Sequence, residues 1–155
     1  MTQRRPLIII SDQIQQIPDG DTVGFGPELI DATNDDSANM VFGQPVYILG
    51  ANNNIRRSRA NFGGTKKVIG LVASSTIKVG NTGKVLTSGI LTGTTSQWDT
   101  VTGGSGGLNP GSRYFLSLST FGISNVAPSA GYIVPLGYAI NSTSLKIDVE
   151  PDIEL

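Results

Sequence analysis

An all-β fold, a compact β-sandwich or barrel-like domain with an extended N-terminal arm, is what this sequence predicts. The first reason is that apolar runs are short, rich in Val, Ile and Tyr, and bounded by Gly, Asn, Pro or Ser, which is the strand signature. The second is that almost no stretch carries the 3.6-residue periodicity of a helix. The third is length: 155 residues suit a single domain able to bury a real core without staples.

Taken in order, strands are expected near Leu7–Ile10, Pro45–Leu49, Ile55–Ala60, Lys67–Ala73, Thr76–Val79, Val85–Leu91, Arg113–Leu118, Ile133–Ile140 and Ser144–Val149. "GANNN" (Gly50 to Asn54) suits a hairpin loop because Gly and Asn accept positive φ cheaply, and "NSTS" (Asn141 to Ser144) reads as a second hairpin. In "RYFLSLS", Tyr114, Leu116 and Leu118 face one way and Phe115 and Ser117 the other. Pro135 inside "YIVPLGYAI" marks an edge strand or a bulge. One helical turn is expected over Pro27–Ala32, with Pro at the first helical position. The polar "DATNDDSAN" divides the chain into an arm and linker, 1–36, and a β-rich domain, 37–155.

Composition narrows the chemistry. There is no Cys and no His, so neither thiolate nor imidazole chemistry is open to the chain. Charged residues make up 15% and the formal net charge is −1, a weakly charged surface that favours association. The apolar run Leu7–Ile10 is too short for a secretory signal core, and no run approaches the ~18 residues that span a bilayer. The expectation is a soluble protein with no membrane partner.

Each candidate site has a structural reading beside the functional one. "WDTVTGGSGGLNPGSRYFLS" holds five glycines, but a phosphate loop requires G-x-x-x-x-G-K-[ST]. Gly106 to Ser112 lacks the lysine, and Pro110 removes a backbone donor. "GNTGKV" has valine where the hydroxyl belongs. Asp19 with Asp21, and Asp35 with Asp36, match no EF-hand pattern and read as turn and linker. Asn141 begins a glycosylation sequon that, without a secretory signal, reads as a turn. Arg56, Arg57, Arg59, Lys66 and Lys67 form the strongest charge cluster, with Arg57 and Arg59 on one strand face. A neutral chain with one aromatic there does not fit nucleic-acid binding. The expectation is that this hairpin meets an acidic surface on a sister copy or host lattice, such as the C-terminal "DVEPDIEL". Trp98, the lone tryptophan, is expected to anchor the core or a subunit interface.

The order of motifs carries a resemblance. The opening "RRPLIIISDQIQQIPDGDT" resembles the start of many small bacteriophage virion proteins, and "GQPVYI", "VIGLVA", "GKVLTSGIL", "QWDTVTGGSGGLNPGSRYFLS" and "VPLGYAINSTSLKIDVEP" are similar, in order, to a β domain of bacteriophage particle exteriors. That domain occurs in capsid decoration (cement) proteins and in tail-fibre or baseplate proteins. The resemblance implies a virion structural protein without catalysis, cofactor or metal. It would be trimeric and bound to the major capsid protein or another virion protein on the capsid exterior. The alternative it leaves is a tail-fibre or baseplate component that binds a host surface glycan. The chain has no shaft, heptad region or collagen-like repeat, which favours lattice decoration. Candidate assembly contacts are Leu7, Ile8, Ile9, Ile10, Arg56, Arg57, Arg59 and Trp98, the first four as a strand suited to pairing with another subunit's sheet.

Overall fold

The structure, a computed structural model, describes residues 27–155 and the backbone of β1 (Leu7–Ile10) and β2 (Gln13–Gln16). These two strands pair antiparallel, from Leu7 opposite Gln16 to Ile10 opposite Gln13. The first is the strand expected from the apolar run; the second falls in a stretch read only as polar.

The chain then builds a closed barrel. Its strands are β3 (Glu28–Asn34), β4 (Met40–Val41), β5 (Pro45–Ile48), β6 (Asn54–Arg57), β7 (Gly70–Val72), β8 (Thr76–Ile77) and β9 (Thr82–Thr92). The hydrogen-bonded order β9-β3-β6-β5-β7 returns from β7 to β9, so five strands close with no edge left between them. The β3–β6 pair is parallel and the other barrel pairs are antiparallel, while β4 and β8 form a separate two-stranded ribbon. The GANNN hairpin is present between β5 and β6, with Asn52 and Asn53 at φ 68° and 55°.

Residues 28–34 are a correction. The sequence suggested a helical turn over Pro27–Ala32 and linker to residue 36, yet β3 is flanked on both sides by barrel strands. Its inward positions are Ile30, Ala32 and Asn34. A small residue and an amide at two of three inward positions erase the hydrophobic alternation, and the neighbouring strands decide the conformation.

The second half contains α1 (Thr95–Thr102), β10 (Arg113–Leu116), β11 (Ile123–Ser124), β12 (Tyr132–Ile133), β13 (Pro135–Ala139), β14 (Ser144–Ile147) and β15 (Ile153–Glu154). The long β9 serves both halves: Thr82–Ser88 belongs to the barrel, and Gly89–Thr92 starts the open order β9-β14-β13-β10-β11. The change of partner falls at Gly89, whose φ is +103° and where a Cβ would lie 2.7 Å from Pro27 Cα. Both the backbone conformation and the close approach require glycine. Pro135 opens the interior strand β13, opposite a register shift at Tyr114/Phe115, so the bulge reading holds and the edge reading does not.

Alternation along the shared strands sorts side chains into two cores. Val72 and Val85 point into the barrel with Met40, Val46, Ile55 and Ile77. Their neighbours Leu71 and Leu86 point outward, against Trp98, Tyr114, Leu116, Leu136 and Leu145 of the second half. Helix α1 was not expected from sequence. Thr94 Oγ1 accepts the Gln97 N–H (3.1 Å) and Gln97 Oε1 accepts the Thr94 N–H (2.8 Å), a reciprocal cap. The helix stops at Gly103, in the left-handed region.

Candidate functional site

The basic hairpin is where charge and ring chemistry converge. Asn34 is buried at the end of β3; its amide donates to the Ala38 and Ile77 carbonyls and its Oδ1 accepts the Asp36 N–H. That turn directs the next two carboxylates toward β6. The parallel register sets Thr33 beside Asn54 and Asn34 beside Ile55, and continuing it brings Asp35 to Arg56 and Asp36 to Arg57. Arg56 Nη2 lies 3.1 Å from Asp35 Oδ2, with both side chains about half exposed, whereas Arg57 Nε lies 2.9 Å from Asp36 Oδ2 with the pair at 15% and 13% exposure.

Asp36 is the strongly perturbed acid. Burial pushes its carboxyl up, but the Arg57 side chain, the Arg57 and Ser37 backbone N–H groups and the Arg57 charge together pull it down to about 2. The donors are Arg57 N–H at 3.0 Å, Nε at 2.9 Å and Nη2 at 3.2 Å, and the Ser37 N–H at 2.7 Å. A carboxylate gathering several donors is held ionised.

Arg57 and Arg59 do share a face, and Phe121 fills it: their guanidinium carbons lie 4.1 and 4.4 Å from the ring centroid. Phe121 comes from the β10–β11 connection, so these contacts tie the barrel to the open sheet. Beside the ring is a hollow of about 220 Å3, lined by Gln44, Thr100, Thr102, Thr120 and Phe121 with backbone of Gly103 and Gly122. Its walls mix the hydroxyl and amide groups with the apolar surface of Val101 and Phe121, and no titratable side chain lines it.

Arg56 and Arg57, expected to meet an acidic surface on a sister copy, have carboxylate partners within the same chain, because the parallel ladder sets them side by side. The acidic C-terminus is likewise engaged within the chain. Lys66 Nζ lies 2.5 Å from Asp152 Oδ2 and 3.8 Å from the Tyr132 ring centroid, and Arg113 pairs with Glu150. The Lys66 contact holds the Asp152 carboxyl below the usual range and pushes the Lys66 ammonium up.

The glycine loop does cradle an anion, and that anion is its own. Gly106 and Gly107, both at φ +83°, donate their N–H groups to the two oxygens of Asp99 at 3.1 and 2.7 Å. Consecutive glycines in this conformation form an anion-binding nest, here closed by the helix α1 carboxylate. The loop is a connector, as its missing lysine indicated.

Trp98 is completely buried: Nε1 donates to the Thr143 carbonyl at 2.8 Å, and its ring meets Phe42 edge-on at 5.2 Å. It anchors the core of the folded chain and leaves no exposed surface for the assembly contact expected of it. Tyr114 is buried too, its hydroxyl accepting the Asn109 N–H at 2.8 Å. With Tyr132 beneath Lys66, the three aromatics form no exposed platform. The side chains of Leu7, Ile8, Ile9 and Ile10 lie outside the described residues. Sequence reasoning missed Asp36, Phe121 and Asp99 as partners, since parallel register and loop contacts leave no local pattern.

Among the described residues, no group of three or more acidic side chains is placed to hold a metal ion, and no helix is long and apolar enough to cross a membrane. Comparison with protein-family models, curated proteins and solved structures finds no match to this chain.

Proposed function

We propose that this chain is a structural protein of a bacteriophage particle, most simply a capsid decoration protein, which works by binding its own copies and a virion shell rather than by turnover. The observation that carries this reading is the contrast between the Leu7–Ile10 strand and the barrel. An unbroken apolar run is the composition of strands covered on both faces, yet among the described residues β1 pairs with β2 alone, and a two-stranded ribbon is marginal in water by itself. Such a ribbon ahead of an edgeless barrel has the form of a tether that gains stability on another molecule. The low charge and the sequence resemblance point the same way. The glycan-binding alternative asks for Trp98, Tyr114 and Tyr132 on one exposed face, and two of these are core residues.

The test is deletion of residues 1–20. The expected result is a truncated chain with unchanged far-ultraviolet circular dichroism that sediments as a monomer and no longer attaches to particles, while the full chain sediments as a trimer. A truncated chain that assembles and attaches as the full chain does overturns the proposal.

A further inference from the structure

Among the described residues, the open sheet has one face buried and the other uncovered. Cross-strand register aligns Ile90 with Lys146, Lys146 with Tyr138, and Tyr138 with Arg113, so these four form one row across β9, β14, β13 and β10. The alternate row, Leu91, Leu145 and Ala139, is core. Ile90, Tyr138 and, two residues along the same face, Ile140 are 52%, 41% and 46% exposed. The Lys146 ammonium turns toward the Tyr138 ring, 5.7 Å from its centroid, and its Cα stands between those of Ile90 and Tyr138 in the row. Arg113 is occupied by Glu150. The result is a largely apolar strip, crossed by Lys146 and ended by the paired Arg113, that no described residue covers.

We infer that this strip is the seat of the Leu7–Ile10 strand of a second copy. The inference rests on the tether reading and adds the surface that receives the tether. Three observations support it. The arm leaves the body beside the strip: Pro27 packs against Gly89, the residue before Ile90. The dimensions agree, because four strands at ~4.8 Å make a row about 14 Å wide and a four-residue strand is about 13 Å long. Residues 17–26 can extend about 35 Å, enough to place an arm on an adjacent body. The chemistry also agrees, for Leu7–Ile10 is an unbroken apolar run and the strip is largely apolar.

The chain has no cysteine, so single cysteines report this contact cleanly. Full-length chains carrying Ile8→Cys or Ile9→Cys, one for each strand face, are mixed under mild oxidation with full-length chains carrying Tyr138→Cys. Lys78→Cys, exposed on the barrel, replaces Tyr138→Cys as the control. A disulfide forms only where Cα atoms come within ~7 Å. The expected result is a covalent dimer between one arm variant and Tyr138→Cys, at least tenfold over the control. Ile90→Lys in the full chain should also weaken self-association at least tenfold with the circular dichroism unchanged. A cross-link that forms only within one chain, when both cysteines are on that chain, overturns the inference. No cross-link above control also overturns it. If that happens while deletion of residues 1–20 still yields monomers, the tether reading stands and only this seat is wrong; if the deletion leaves assembly intact, the tether reading falls first.

Discussion

The two halves of this molecule solve the edge problem of β-sheets differently. The barrel spends every strand edge on closure and fills its interior with aliphatic side chains and one satisfied amide, Asn34. The second half stays open, ends in the two-residue strand β11, and fills its core with Trp98, Tyr114 and Phe42 as well as leucines. A closed barrel has nothing left to pair with, whereas an open sheet offers a face and an edge. The difference teaches where contacts with other molecules can be made: the barrel is a rigid mount, and the open half carries an apolar strip that no described residue covers.

The largest effect is expected from Trp98→Ala. Trp98 joins α1 to the Phe42 turn of the barrel and to the β13–β14 hairpin, and truncating a fully buried aromatic costs about 3–5 kcal/mol. For a domain of this size that lowers the melting temperature by about 10 °C. Because the two cores are separate clusters, amides of β10, β13 and β14 should lose most of that protection in native-state hydrogen exchange while β3 and β6 keep theirs. Equal loss in both halves would merge them into one cooperative unit.

The strands of both halves were largely legible in the sequence, for a physical reason. Short Val- and Ile-rich runs between turn formers, as in "PVYI" and "SLKI", carry their own signal. β3 was not legible, because Ala32 and Asn34 on its inward face break the pattern and only flanking strands define it. Helix α1 was missed although its start was written in the sequence: Thr94-x-x-Gln97 is a capping box, disguised within "TGTTSQ". At the charged site, the two arginines on one face could be read from period-two alternation. Their partners Asp35 and Asp36 could not, since they lie about twenty residues upstream and meet β6 only through parallel register.

A smaller effect sharpens the mounting of the open half on the barrel, where Arg57 bridges Asp36 and Phe121. The Asp36 carboxyl is held at about 2 against an ordinary 3.8, so its folded-state value is depressed. Its contribution is therefore fully present above pH 3.8 and is lost as pH falls through about 2. Allowing for screening at a site that solvent still reaches, it is on the order of 2 kcal/mol. Asp36→Asn should lose about that much at pH 6 and almost nothing at pH 2, as read by denaturant unfolding across that range. A deficit independent of pH would assign the loss to packing at the turn instead of charge.

The smallest effect comes from the neighbouring pair, which is exposed and singly bonded at its carboxylate where Arg57–Asp36 is covered and multiply bonded. Arg56–Asp35 and Arg57–Asp36 lie side by side with N–O distances of 3.1 and 2.9 Å, and differ in exposure, 45% and 43% against 15% and 13%, and in the added donors and ring contact of Arg57. Arg56→Ala should change stability by no more than ~0.5 kcal/mol, the range of exposed pairs, and that difference should vanish in molar salt. Arg57→Ala should cost about 3 kcal/mol, because it strands a largely covered carboxylate and uncovers one side of Phe121. That cost should persist in salt. Reversing Arg57 to Glu therefore reports on the fold before it can report on assembly. Charge tests of assembly belong on Arg59, whose side chain is held by Phe121 and not by an ion pair among the described residues.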